Sequence, residues 1–325
     1  PYAKDILEEM LGAPEGTVIN GRPLPDFGGL HPDPNPVDAR SLVDLMTSQS
    51  GPDFGAASDG DGDRNMILGR GLVVSPGDSL AVMAANATLV PGYRDGLAGV
   101  ARSMPTSRAV DRVAQRLGIN CYETPTGWRF FCNLLESGKI DLCGEESFGT
   151  SSSHAREKDG LWAVLFWLDL VAATGHSVAE LMKRHWAEFG RNAYCRNDYF
   201  IEDTERAETI MSRLSDRVSS MSGVRVRGMN IDQADSFHYR DPVDGSESRN
   251  QGIRVFFADD SRIIYRLSGT GTSGATLRVY LERYLADAGA QSRSAWEATE
   301  RLASISRELA RIKEIAGLES PTGVV

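Results

Sequence analysis

Lysine is scarce in this 325-residue sequence: Lys4, Lys139, Lys158, Lys183 and Lys313 are all there are, and arginine supplies the other cations. Acidic residues outnumber basic ones, for a net charge of −10. That balance excludes a general affinity for nucleic acid or an anionic membrane, while leaving room for a local basic pocket. Cysteine is also sparse. Cys121, Cys132, Cys143 and Cys195 show neither CxxC spacing nor the density of a disulfide scaffold, so free thiols in a reducing, cytoplasmic setting are expected. The longest apolar run, Leu161 to Ala173, has 13 residues with Asp169 among them, against the ~20 needed to span a bilayer. A secretory leader pattern, internal repeats and low-complexity tracts are missing too. His31, His176, His185 and His238 lack metal-ligand spacing and read as structural or surface residues.

What is present is a globular balance, with 41% apolar and 25% charged residues and enough length for two to three domains. Residues 1–88 alternate helix-like and strand-like stretches: a helix over Val37–Thr47, a buried strand at Phe54–Ala57, and a helix capped by Asp78 and reaching about Thr88. Residues 89–190 repeat the rhythm. A helix over Thr106–Leu117 stops at Gly118, a strand follows at Ile119–Glu123, and Ser177 with Glu180 forms a capping box for the last helix. In residues 191–325 the stretches Ile253–Phe257, Arg262–Leu267 and Thr276–Glu282 read as consecutive antiparallel strands. Leu277, Val279 and Leu281 alternate with Arg278, Tyr280 and Glu282, giving that sheet one apolar and one polar face. A long helix with Leu302, Ile305, Leu309 and Ile312 on one side runs to Gly317. The expected fold is α/β and multi-domain: layered α/β units with mixed sheets, followed by a C-terminal α+β domain with an antiparallel sheet.

Four loops carry the chemistry. In Ser58-Asp59-Gly60-Asp61-Gly62-Asp63-Arg64, three carboxylates two residues apart repel one another, and a bound cation relieves that cost. Oxygen-only donors select a hard ion, Mg²⁺ or Ca²⁺. An EF-hand is excluded, because the positions that require Gly and Glu hold Arg64 and Arg70, or Met66 and Leu72 in the alternative frame. Three protein oxygens leave coordination positions for a phosphate, and Arg64 adds a phosphate partner. The second loop, Arg266-Leu267-Ser268-Gly269-Thr270-Gly271-Thr272-Ser273-Gly274, offers backbone N–H groups and hydroxyls between two arginines, Arg266 and Arg278, as an anion nest does. No GK[ST] follows, so it is not a Walker loop. The third runs from Gly144-Glu145-Glu146-Ser147-Phe148-Gly149 to Lys158 and Asp159. Its carboxylates and hydroxyls suit the hydroxyls of a sugar, and Lys158 suits proton transfer if its pKa is lowered. The fourth, Thr124-Pro125-Thr126-Gly127-Trp128-Arg129, is a turn that pairs an aromatic with a cation.

Together these loops resemble the α-D-phosphohexomutase superfamily, phosphoglucomutase branch. Phe27-Gly28-Gly29, the HPDPNP stretch that follows it, Ser103-Met104-Pro105-Thr106-Ser107 and residues 156–165 share the resemblance. It implies a metal loop, a sugar-binding loop and a phosphate-binding loop in that order. Asp59, Asp61 and Asp63 would be the Mg²⁺ ligands. Arg64, Thr126, Gly127, Glu145, Ser147 and Lys158 would contact sugar or bisphosphate, with Lys158 as base. Arg266, Ser268, Thr270 and Arg278 would hold the phosphate that is not reacting. The implied reaction interconverts glucose 1-phosphate and glucose 6-phosphate through glucose 1,6-bisphosphate, using a phosphoserine in a Thr-Ala-Ser-His-Asn stretch. That stretch does not occur in these residues. The chain is therefore expected to be a fragment, inactive alone, that contains an incomplete second domain (1–88), a third (89–190) and a C-terminal domain (191–325). The missing N-terminal domain would supply the phosphoserine. GEESFG favours glucose over mannose phosphates. A non-catalytic sugar-phosphate-binding paralogue, or a mutase for another hexose phosphate such as phosphomannose, is the alternative. Nothing in the sequence fixes an oligomeric state.

Overall fold

The computed structural model describes residues 1–271 and 274–325; the side chain of Thr270 lies outside the described residues. The first unit holds helix α1 (Arg40–Thr47) and a three-stranded antiparallel sheet, β1 (Phe54–Ser58), β2 (Asn65–Gly69) and β3 (Leu72–Val73). Helix α1 starts three residues later than its apolar spacing predicts. Asn35 Oδ1 accepts the N–H groups of Val37 at 2.8 Å and Asp38 at 3.0 Å, which holds the preceding residues in a turn.

The middle unit begins with α2 (Pro76–Ala85). Its N-cap is Ser75, whose hydroxyl accepts Asp78 N–H at 3.1 Å, with Pro76 at the first helical position. Asp78 is thus a buried first-turn residue rather than the expected cap, and the helix ends at Ala85 instead of reaching Thr88. Then come β4 (Gly99–Ser103), α3 (Ala109–Leu117), β5 (Asn120–Thr124), α4 (Arg129–Glu136), β6 (Leu142–Gly144), β7 (Thr150–Ser152), α5 (Gly160–Thr174) and α6 (Val178–Phe189). The sheet order is β5-β4-β6-β7, parallel except for β7, so it is the mixed sheet expected. Gly118, at φ +69°, ends α3, and the Ser177–Glu180 capping box opens α6. Leu80, Val82 and Met83 of α2 pack with Val110, Val113, Leu142 and Trp167, and Ile67 of β2 joins that same core. Residues 76–85 therefore belong structurally with the middle unit. Among the described residues no single helix is long and apolar enough to cross a membrane.

The C-terminal unit starts immediately after Gly190. A Cβ there would lie 2.4 Å from the Tyr284 ring, so only glycine fits this joint. Seven antiparallel strands follow in the order β16-β8-β15-β14-β13-β10-β9. They are β8 (Arg191–Ile201), β9 (Arg225–Val226), β10 (Met229–Ser236), β13 (Ile253–Phe257), β14 (Arg262–Gly271), β15 (Gly274–Leu285) and β16 (Gly323–Val324); a separate ribbon pairs β11 (Tyr239–Arg240) with β12 (Glu247–Ser248). Helices α7 (Thr204–Met221), α8 (Ala295–Ala310) and α9 (Ile312–Ala316) cover one face. The predicted single closing helix is broken at Arg311, which sits at φ +51°. Leu277, Val279 and Leu281 point into the helix-covered core beside Ile210, Leu214, Leu302 and Ile305. The opposite face of β14 and β15 is turned toward the middle unit by the two-residue strand period.

Ion pairs join those two units. Arg262, 1% exposed, pairs with Glu282, and its Nη1 donates to the Met104 carbonyl at 3.0 Å. Arg108 N–H donates to Glu282 Oε1 at 2.7 Å, and Arg254 pairs with Glu123 and Asp235. These contacts set the arginine face of the C-terminal sheet against the loops of the middle unit.

Candidate active site

The aspartate loop is a hairpin tip. Register pairing of Ser58 with Asn65 brings the ends of β1 and β2 together, and residues 59–64 close the turn. Gly62, at φ +81°, takes a conformation that L side chains avoid. At Gly60 a Cβ would meet the Phe27 ring at 2.6 Å, so Phe27-Gly28-Gly29 packs directly on this loop. Within it Asp59, Asp61 and Asp63 each offer a carboxylate oxygen, all within 4.8 Å of one another. Asp59 is tied down by Arg64: its Oδ1 accepts Arg64 N–H at 3.0 Å and its Oδ2 accepts Arg64 Nε at 2.6 Å. Burial pushes the Asp59 carboxyl up, but these hydrogen bonds outweigh it and hold it below its usual value. Asp63 goes the other way, raised by burial and by Asp59 despite the pull of Lys158. Three oxygen donors this close make a donor set that fits a hard divalent cation.

The helix α5 N-terminus abuts this loop. Asp159 caps it by accepting Trp162 N–H at 2.9 Å, and Gly160 N–H donates to Gly62 O at 3.0 Å. A Cβ on Gly160 would lie 2.1 Å from Arg64 O, so the close approach requires glycine. One residue before the cap, Lys158 Nζ lies 3.5 Å from Asp63 Oδ2 and 3.3 Å from Glu145 Oε2. It also sits 5.7 Å from the centroid of the Trp128 ring. Burial lowers the lysine's pKa, but Glu145 and Asp63 outweigh that and hold it above the usual value. The lowered pKa that a base role calls for is therefore not what these neighbours produce.

Glu145 is 3% exposed and belongs to the sugar-loop candidate. Its Oε1 accepts Gly127 N–H at 3.1 Å, and its own N–H donates to Gly149 O at 2.8 Å. Burial, then neighbouring Glu146, raises its carboxyl, with Lys158 opposing. The loop bends sharply because Phe148 adopts φ +67°, an uncommon backbone for an aromatic. Ser147 is half-buried at this bend, and Thr126 presents a buried hydroxyl without a hydrogen-bond partner among the described residues.

On the C-terminal sheet Arg266 and Arg278 stand directly opposite one another across β14 and β15. Like charges paired in this way are destabilising and favour an anion between them. Arg278 Nε is buried without a hydrogen-bond partner among the described residues. Ser268 is half-buried on the same strand as Arg266, while Thr270's side chain lies outside the described residues.

Residue contacts thus join the loops: Lys158 connects the aspartate loop to the Glu145 loop, and that loop continues through Glu146 to Tyr280 and Arg266. Sequence reasoning missed Glu146, Tyr280 and Asp33; Asp33 Oδ1 accepts from Arg64 Nη1 at 3.1 Å. The doubled Glu145-Glu146 was the available signal for the first. His31 is exposed, in keeping with the surface role expected of it, and its ring, Asp33 and Asp38 place donor atoms within 4.8 Å of one another.

Comparison with known proteins accounts for the whole chain. The profile for phosphoglucomutase/phosphomannomutase alpha/beta/alpha domain II matches residues 1–71 and that for domain III matches residues 76–189. The Phosphoglucomutase-1 C-terminal domain profile matches residues 191–322. A phosphoglucomutase of Rhizobium radiobacter is 56% identical, covering 99% of this chain and 59% of the relative. Phosphoglucomutase-1 of Homo sapiens is 50% identical, covering 99% of this chain and 58% of the relative. The crystal structure of the Paramecium phosphoprotein pp63/parafusin, a phosphoglucomutase in open form, superimposes with a TM-score of 0.91 at 46% identity. That match covers 100% of this chain and 58% of the other. The chain spans little more than half the length of these relatives, and it belongs to the α-D-phosphohexomutase family, of which it carries domains II, III and the C-terminal domain.

Proposed function

We propose that this chain forms the metal-, sugar- and phosphate-binding portion of a phosphoglucomutase that interconverts glucose 1-phosphate and glucose 6-phosphate through glucose 1,6-bisphosphate. The observation that carries it is Lys158, whose ammonium joins a three-aspartate loop to a buried sugar-loop carboxylate, Glu145. Asp59, Asp61 and Asp63 would hold Mg²⁺, which supplies positive charge for the transferring phosphoryl oxygens. Glu145 and Ser147 bind sugar hydroxyls, beside Thr126 and Gly127. Arg266, Arg278, Ser268 and Thr270 grip the phosphate that is not reacting. Arg64 and Lys158 face the reacting end as fixed cations, positioned before charge develops there. In this arrangement Lys158 offers its positive charge to the reacting end, and the role of base to the attacking hydroxyl is proposed for it as well.

The phosphoserine that carries the phosphoryl group would come from a segment outside these 325 residues. The free thiols of all four cysteines suit a reducing compartment, cytosol or plastid stroma alike, and of these the cytoplasm is the proposed place of action. Two experiments test the reading. Titration calorimetry with glucose 1-phosphate and mannose 1-phosphate in Mg²⁺ should show tighter binding of the glucose ester; equal affinity would point to a broader hexose-phosphate mutase. A coupled assay of glucose 6-phosphate formation, primed with bisphosphate, should give negligible turnover by residues 1–325. It should give turnover once a Thr-Ala-Ser-His-Asn-bearing domain is joined to them. Binding without turnover in the joined protein would favour a non-catalytic sugar-phosphate binder.

A further inference from the structure

The proposed reaction gives no part to the Ser103–Ser107 stretch or to the second glutamate of the sugar loop. The structure joins them. Ser103 Oγ donates to Glu146 Oε2 at 2.6 Å and lies 2.7 Å from Thr106 Oγ1. The other carboxylate oxygen, Oε1, accepts from Tyr280 OH at 3.2 Å and lies 3.5 Å from Arg266 Nη1. Arg266 Nη1 also donates to Tyr280 OH at 3.1 Å. Glu146 is 4% exposed. A carboxylate this deep in a protein is costly unless charge and hydrogen bonds compensate it, and here one hydroxyl from the middle unit, one from the C-terminal sheet and an arginine do so.

Arg266 and Arg278 meet across the strands, with Asp198 of β8 opposite Arg278 on its other side and Arg196 paired to Asp198. Glu146 offsets Arg266 before any ligand arrives. A phosphate entering here meets one net positive charge fewer than it would without Glu146. In a reaction whose bisphosphate intermediate must release one end to present the other, a doubly cationic clamp would hold too tightly.

We propose that Glu146 is a positioning residue that sets the affinity of the Arg266–Arg278 pair for phosphate, seating Arg266 against Tyr280 and weakening the clamp enough for release. This rests on the reading that Arg266 and Arg278 hold the non-reacting phosphate. Glu146→Gln keeps acceptor capacity for the hydroxyls and removes the charge. Titration with inorganic phosphate and, separately, with glucose 1-phosphate should show about tenfold tighter binding to Glu146→Gln, with Glu146→Asp close to the unsubstituted protein. In the phosphoserine-containing enzyme the same Gln substitution should lower KM and kcat together.

A role confined to holding the fold would lower Tm and leave phosphate affinity unchanged or weaker in Glu146→Gln, and that result overturns the proposal. If Glu146→Gln does not fold, Tyr280→Phe keeps the carboxylate and removes the hydroxyl that seats Arg266. It should then bind inorganic phosphate about tenfold more weakly, and unchanged affinity again overturns the proposal. Unsubstituted protein that binds inorganic phosphate but not glucose 1-phosphate would remove the sugar reading alone, leaving Glu146 to be judged on inorganic phosphate. Protein that binds neither removes both.

Discussion

The aspartate loop and the arginine face of the C-terminal sheet hold charges of opposite sign by opposite means. In the loop the carboxylates lie within one hairpin tip, partly open to solvent, and Arg64 restrains them from the same few residues. On the sheet the arginines come from neighbouring strands, and Arg266 is restrained by Glu146, from a different unit of the fold. The loop is organised by chain connectivity, and the arginine face by strand register and by how two units pack. A substitution in the first should therefore change ligand affinity with little change in stability. In the second, affinity and stability should move together.

The sharpest break of that contrast lies in the ion-pair seam that holds the arginine face in place. Arg262→Ala would take from the buried Glu282 its main ion-pair partner and leave it held by Arg108 N–H and Asn192, at a cost of about 3 kcal/mol measured by thermal or denaturant unfolding. Arg64→Ala removes the guanidinium from Asp59 but leaves that carboxylate its bond from the residue-64 N–H, and should cost about 1–2 kcal/mol. Equal losses would end the distinction. Next in size, Asp61→Asn should weaken Mg²⁺ binding by at least about tenfold while leaving the metal-free Tm in place, because Asp61 is exposed. Unchanged metal affinity rejects the loop as the cation site.

The seam also predicts an acid limb. Burial pushes the Glu282 carboxyl up, but Arg262, Arg108 and the Arg108 N–H bring it down to about 2 from 4.5. Its folded pKa is the lower one, so its contribution to stability is present above pH 4.5 and is lost as pH falls toward 2. Glu282→Gln should flatten the stability curve across that window; an unaltered slope would locate the acid sensitivity elsewhere. Smallest of all, Ser58→Ala removes a 2.9 Å hydrogen bond to Arg64 O on the loop. It should cost about 0.5–1 kcal/mol in unfolding experiments.

The contrast also explains what was legible in the sequence. Asp59, Asp61 and Asp63 carry their spacing on the page, and Leu277, Val279 and Leu281 alternate openly, so the metal-loop candidate and the two faces of β15 could be read directly. Strand β8 could not, because Asn192 and Asn197 are buried where an apolar pattern would mark a strand. The cap of α2 was misplaced because Ser75 and Asp78 both have capping chemistry and only backbone geometry tells them apart. Glu146 went unread because its partners, Ser103, Tyr280 and Arg266, are set by register and packing that no local pattern encodes. Lys158 was singled out by its rarity, but the direction of its pKa shift depends on Glu145 and Asp63, which only the fold brings to it.

The central claim is that loop and sheet serve one ligand, a sugar bisphosphate gripped at both ends. Titration calorimetry of glucose 1,6-bisphosphate into residues 1–325, with and without Mg²⁺, tests it most directly when repeated on Arg266→Gln and Asp61→Asn. The account predicts Mg²⁺-dependent binding to the unsubstituted chain, weakened about tenfold or more by Arg266→Gln and stripped of its Mg²⁺ dependence by Asp61→Asn. Binding that ignores both substitutions, or no binding at all in Mg²⁺, would contradict it.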